Sequence, residues 1–164
     1  MTRRILAVVL ALTAGLALAG CTPTISVSPA PAATSTACAG LIVRLPATLG
    51  AAAKRQTDSQ GTAAWGNPEA VQLQCGVTPP GPTTDACFTI SGVDWISVDQ
   101  GRGTDARVVL TTFGRTPATR VVVDPAHLSV SDAMPPLSDA VTAAIPTATR
   151  HCTAASVPTP TATP

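Results

Sequence analysis

Five cysteines, Cys21, Cys38, Cys75, Cys87 and Cys152, give this sequence its widest range of chemistry: thiolate nucleophile, metal ligand, redox couple or half-cystine. No two stand as Cys-x-x-Cys, so the pattern of a thiol–disulfide oxidoreductase is missing. Zinc-ribbon spacing is missing as well, and neither His127 nor His151 forms a ligand cluster with the cysteines, so no metal is expected. His127, in "DPAHLSV", follows Asp124 by three residues, which allows an Asp–His pair acting on Ser129 or Ser131 as in a hydrolase. No nucleophile-elbow sequence accompanies it, and a solvated loop histidine is the plainer reading. His151 adjoins Cys152 and would lower the pKa of a free thiol there; a disulfide at Cys152 removes that chemistry. "GRG" at 101–103 is too short for a phosphate loop and reads as a hairpin cap. Carboxylates paired at useful spacing are absent, so neither a catalytic residue nor a cofactor is expected, and the chain reads as non-enzymatic.

The fifth cysteine has a different context. Arg3 and Arg4 are followed by "ILAVVLALTAGLAL", a 14-residue apolar run, and then by the small residues Ala19 and Gly20. This is the layout of a secretory signal peptide over residues 1–20, and the run is shorter than the roughly 18 to 20 apolar residues that span a bilayer. Leu18-Ala19-Gly20-Cys21 resembles the bacterial lipobox, in which the cysteine carries a thioether-linked diacylglycerol and becomes the mature N-terminus. Two acyl chains anchor stably where one holds only marginally. Giving Cys21 to lipid also leaves an even four cysteines for pairing. The expected location is the outer face of the cytoplasmic membrane.

Charge narrows the partners. The full chain carries 10 basic and 9 acidic residues; without Arg3 and Arg4 the balance is 8 against 9. Nothing in that balance suggests nucleic acid or an anionic bilayer surface. Residues 21–36, rich in Thr, Ser, Pro and Ala, read as a disordered spacer that holds the domain off the membrane, and 153–164 as a disordered tail. The folded domain is expected over 37–152.

Cys38, Cys75, Cys87 and Cys152 lie in an exported segment, where two structural disulfides are the default. Of three connectivities, Cys38 with Cys75 and Cys87 with Cys152 is favoured, since each bridge would tie a terminal helix to a strand. The rival joins Cys75 to Cys87 and Cys38 to Cys152. Leu41, Leu45 and Leu49, four apart, suggest a helix over "CAGLIVRLPATLGAAAKR" that kinks or restarts at Pro46. "AVQLQCGV", "CFTISGVDWISV" with a bulge or tight turn at Gly92, "ARVVLTTFG" and "TRVVV" read as strands. "PPLSDAVTAAIP" reads as a short helix with proline at its start. The expected fold is α+β: a small antiparallel sheet of three to four strands, covered on one face by an N-terminal and a C-terminal helix and stapled by two disulfides.

Several of these residues recur in a fixed order: Cys38-x-x-Leu41, Leu45-Pro46, Ala64-Trp65-Gly66-x-Pro68, Cys75-Gly76-Val77, Gly92-Val93-Asp94-Trp95 and Thr111-Thr112-Phe113-Gly114-Arg115. Together they resemble the actinobacterial secreted and lipoprotein family catalogued as domain of unknown function 3515, over about residues 38–145. That resemblance implies an envelope protein without an established activity and supplies no catalytic residues. Trp65 and Trp95 either fill the core or, in the case of Trp65 on its Gly/Asn/Pro loop, offer an indole anchor to a partner or glycan. Arg115 either pairs with Asp94 structurally or presents a cationic contact. The leading expectation is a membrane-anchored binding or accessory module for envelope proteins or cell-wall polymer. An envelope hydrolase using His127 and a small-ligand or lipid-binding module are the alternatives.

Overall fold

The computed structural model describes residues 23–153. The signal segment, Cys21 and the tail from residue 154 onward lie outside the described residues. A first helix, α1 (Thr36–Ile42), is capped by Ser35, whose hydroxyl oxygen accepts from the Cys38 amide at 3.2 Å. It ends well before Pro46, which disfavours helical geometry in the residue ahead of it. Beyond it come strands β1 (Thr48–Leu49), β2 (Ala52–Arg55), β3 (Thr62–Trp65) and β4 (Val71–Val77). The second half contains β5 (Ala86–Ile90), β6 (Val93–Gln100), β7 (Arg107–Thr112), β8 (Ala118–Val123) and the helix α2 (Val130–Ala144).

These strands form one eight-stranded antiparallel sheet in the order β1-β2-β3-β4-β8-β7-β6-β5. The small sheet of three to four strands expected from the sequence is thereby overturned. Two four-stranded meanders lie side by side and join at a β4–β8 seam, with Val71 opposite Val123 and Leu73 opposite Val121. Three misread segments account for the missing strands: 48–55, 87–98, and the loop reading around Trp65, where Thr62–Trp65 is strand β3. Residues 48–55 have helical leucine spacing but fold as a β1–β2 hairpin around Gly50, and Leu45 and Leu49 enter the same core from an irregular turn and a strand. Residues 87–98 have the parity shift expected at Gly92, which arises because Ser91 and Gly92 both have positive φ. They form a two-residue hairpin turn between Ile90 and Val93, so one run is two strands. The "GRG" glycines lie in the β6–β7 connection, as a hairpin cap requires.

Alternate residues of the sheet build the core. Val71, Leu73 and Cys75 of β4, Val121 and Val123 of β8, Leu110 of β7 and Trp95 of β6 share one buried cluster with Cys38 and Leu41 of α1 and Leu137 and Val141 of α2. The helix α2 starts five residues before the expected proline, because Ser129 caps it through the Asp132 amide at 3.1 Å; Pro135 and Pro136 sit inside it.

Both ends of the described chain are strapped onto this sheet. The expected free spacer is docked from Ile25 onward: Ile25 bridges Thr57, Val27 and Ala33 are buried, and Asp58 accepts from the Ser26 hydroxyl and the Val27 amide. Its lack of charge and its proline content, read as signs of disorder, equally suit an extended strand-like strap whose few apolar side chains find pockets. Gly76 makes the docking possible. It has φ 95° at the β4 bulge, its carbonyl accepts the Ala32 amide at 3.0 Å, and a Cβ there would lie 2.4 Å from the Ala32 carbonyl carbon. Gly76→Val is therefore expected to lower unfolding free energy by about 2 kcal/mol or more and to expose the strap. Limited proteolysis should then cut within residues 25–33; an unchanged digestion pattern would contradict the docking argument.

Candidate functional site

The four domain cysteines form two disulfides, Cys38–Cys75 and Cys87–Cys152. The first ties α1 to β4. The second ties β5 to the C-terminal strap beyond α2 rather than to the helix itself. Because Cys152 is consumed, His151 has no thiol to activate. Instead His151 Nδ1 meets Asp94 Oδ2 at 3.0 Å, on the same carboxyl that accepts from the Cys152 amide at 3.1 Å and from the Thr89 hydroxyl at 2.5 Å. Burial pushes the Asp94 carboxyl up, but these three partners outweigh it and hold the group below the usual carboxylate range.

Asp124 has a parallel arrangement at the end of β8. Burial again raises it, while the Ala126 amide at 3.0 Å, His127 Nδ1 at 3.0 Å and the Arg107 guanidinium at 3.1 Å bring it below its ordinary value. The Asp124–His127 pair imagined for a hydrolase thus exists, but its serines are engaged elsewhere. Ser129 caps α2 and donates to Asp132 at 2.7 Å, and Ser131 lies against Ser129 at 3.2 Å. Among the described residues no hydroxyl is hydrogen-bonded to His127, so the nucleophile–base contact of acyl transfer is not formed.

These two carboxyls carry a pH prediction. Each has a folded pKa below its unfolded value, so each contributes stability that is present above the unfolded value, about 3.9, and is lost as pH falls through the folded one. Denaturant midpoints should therefore fall between about pH 5 and pH 2. Asp94→Asn and Asp124→Asn should each flatten that fall, and identical profiles in wild type and variants would argue against these two carboxyls as its source.

Trp65 and Arg115 were candidate partner contacts, and the structure corrects both. Trp65 is 0% exposed, its indole N–H donating to the Pro46 carbonyl at 3.0 Å, because the "AAWG" segment is strand β3 rather than a loop. Trp95, also fully buried, donates to Ser138 of α2 at 3.0 Å. Arg115 is 3% exposed; its guanidinium donates to the Ile145 carbonyl at the end of α2 and to the Gly92 carbonyl at 3.1 Å. It closes a helix C-terminus, where orphan carbonyls and the helix dipole favour a cation. Burial lowers its pKa and the nearby Asp94 opposes that shift, without a direct ion pair between them. Gly114 beside it accepts the Thr149 amide at 2.7 Å. Most of the motif residues behind the family resemblance therefore have structural employment: disulfide, core, close backbone approach or helix cap.

Two surface clefts remain as places where another molecule would fit. One, about 700 Å³, lies between α1 and β2–β3 and is lined by Ala39, Ile42, Val43, Lys54, Arg55 and Thr57. Lys54 reaches across it to the Ile42 carbonyl at 3.3 Å and stands 6.0 Å from the Trp65 ring; burial lowers its pKa. Sequence reasoning missed this cleft because its lysine and arginine sit in what reads as the end of a helix. The other, about 670 Å³, lies beside the Cys87–Cys152 bridge, with Phe113, Ile96 and His151 in its walls. Among the described residues no three His, Cys, Asp or Glu side chains converge as a metal site would need, and no helix is long and apolar enough to cross a membrane.

Comparison with known proteins adds one assignment. Neither a curated protein nor a solved structure matches this chain. Over residues 4–150 it matches the family model described as protein of unknown function (DUF3515), and the chain belongs to that family.

Proposed function

We propose that this protein is a non-enzymatic, lipid-anchored component of the bacterial envelope, whose domain serves as a binding or accessory module at the outer face of the cytoplasmic membrane. The observation that carries the reading is the pairing of the cysteines. All four in the domain are consumed by two disulfides, leaving Cys21, at the end of a charged start and an apolar run, as the one cysteine outside the pairing. Support for a non-enzymatic role comes from the Asp124–His127 pair, which lacks a hydroxyl partner among the described residues and instead helps fix the turn into α2. Envelope proteins and cell-wall polymer are the partner classes that suit this address.

Intact-mass measurement tests the anchor. The mature chain should begin at Cys21 and carry diacylglycerol, and Cys21→Ser should move the protein from the membrane pellet to the soluble fraction. An unmodified N-terminus at another residue would sink the reading. His127→Ala should leave any phenotype of the wild-type gene intact.

A further inference from the structure

We infer that the α1/β2–β3 cleft is a bilayer-facing surface, so that the anchored domain lies on the membrane through Ile42, Val43, Arg44 and Lys54 and contacts phospholipid headgroups there. The inference rests on the acylated Cys21 proposed above and adds to it an orientation and a contact surface.

The first argument is reach. A free spacer of residues 21–36 would let the domain float tens of ångströms from its anchor, in any orientation. The docked strap removes that freedom. Ile25 donates to the Gln56 carbonyl at 2.9 Å and accepts from the Asp58 amide at 3.2 Å, while Arg55 donates to the Pro23 carbonyl at 2.7 Å. From Cys21 to Ile25 the chain has four peptide steps, at most about 14 Å when extended. The acyl anchor is therefore confined to the neighbourhood of Arg55, Gln56 and Thr57, and all three line this cleft.

The second argument is the chemistry of the surface so placed. Val43 is 80% exposed, the most exposed large apolar side chain among the described residues, and Ile42 beside it is only partly buried. Arg44 is exposed beside Val43, and half-buried Lys54 lines the same cleft, while Arg55 turns its guanidinium to the Gly66 and Pro23 carbonyls. An exposed apolar tip with the cations of Arg44 and Lys54 beside it matches the boundary between acyl chains and phosphate headgroups, with the Lys and Arg stems along the apolar surface. The near-neutral net charge of the whole chain conceals this local asymmetry. The patch is too small to hold the domain on a membrane unaided; with the diacylglycerol supplying affinity, it sets which face is down.

The test uses the full-length acylated protein in vesicles of phosphatidylcholine and phosphatidylglycerol, with a photo-crosslinking p-benzoylphenylalanine placed either at Val43 or at Val98, an exposed position on β6 in the far half of the sheet. Lipid adducts should form several-fold more often from position 43 than from position 98. Arg44→Glu should reduce the yield at position 43 while leaving the chain acylated. Equal or reversed yields with acylation confirmed would overturn the inference and leave the anchor standing. So would protein adducts in place of lipid adducts at position 43 in cells. A chain whose intact mass shows no acyl group at Cys21 would remove the anchor, and this orientation with it.

Discussion

Removal of the Cys38–Cys75 bridge by paired alanine substitution should lower the free energy of unfolding by about 4 kcal/mol, the loop-entropy expectation for a closed loop of 37 residues. Domains of this size are stable by only about 5–15 kcal/mol, so the variant should be close to unfolding at physiological temperature. Both sulfurs belong to fully buried residues inside the core cluster, so the substitution also leaves unfilled space between α1 and β4. Trp65 and Trp95, both fully buried, report the transition directly: urea titration followed by tryptophan fluorescence should show the midpoint displaced far below wild type. A midpoint within error of wild type would mean that the bridge constrains a chain already restricted when unfolded. The Cys87–Cys152 bridge closes 65 residues and has a similar entropic expectation, but both its cysteines are partly exposed. Mild reductant should therefore open Cys87–Cys152 first, with alkylation and peptide mapping finding the label there before it reaches Cys38 or Cys75.

Arg115→Ala should rank next, with a loss of about 2–3 kcal/mol, chiefly the cost of leaving the buried Ile145 carbonyl without its charged donor. The substitution strands the buried Ile145 carbonyl at the end of α2, whereas the Gly92 carbonyl lies in the exposed β5–β6 turn within reach of water. It also takes a cation from the neighbourhood of Asp94. Arg115→Lys is the informative companion. Lysine keeps the charge but has one nitrogen where the guanidinium reaches two carbonyls in different directions, so it should recover only part of the loss. Full recovery by lysine would show that charge alone matters. A loss below about 1 kcal/mol in the alanine variant would show that the two carbonyls find water.

Much of this fold was readable in the residues and some of it was not, for physical reasons. The β-branched runs at β4, β7 and β8 carry alternating buried positions and read as strands on sight. Cysteine parity pointed to two bridges and left three pairings open; the favoured one is observed, although its second bridge reaches the strap beyond α2 and not the helix. What failed was the leucine spacing of 41, 45 and 49. Four-residue spacing marks a helical face only if the backbone stays helical, and Pro46 forces it out, so a helix, a turn and a hairpin delivered the same three side chains to one core. The spacer failed for a related reason. Composition measures how much apolar surface a segment has, not whether Gly61 and Gly76 offer backbone grooves to receive Ala32 and Ala33. Trp65 and Arg115, the two residues most suggestive of recognition, proved to be interior devices. Their large side chains are what a chain with no tyrosine and two phenylalanines, both outside the buried core, needs to fill space and satisfy turn carbonyls. The cleft between α1 and β2–β3 is lined by residues whose types, Ala, Ile, Val, Lys, Arg and Thr among them, carry no motif.

The paired bridges have a mechanical meaning. A pull between a membrane anchor and whatever holds the far end would travel along the covalent path of least length, from Cys38 across to Cys75, along the chain to Cys87, and across again to Cys152. Residues 39–74 and 88–151 are short-circuited by that path. Between the two bridges, the stretch in series with the load is the twelve steps from Cys75 to Cys87, through "TPPGPTTD", which can pay out about 40 Å and no more. Both meanders are thus locked loops hung beside a short cord, and a load applied across the two bridges would draw the cord taut while the loops themselves could not be drawn out.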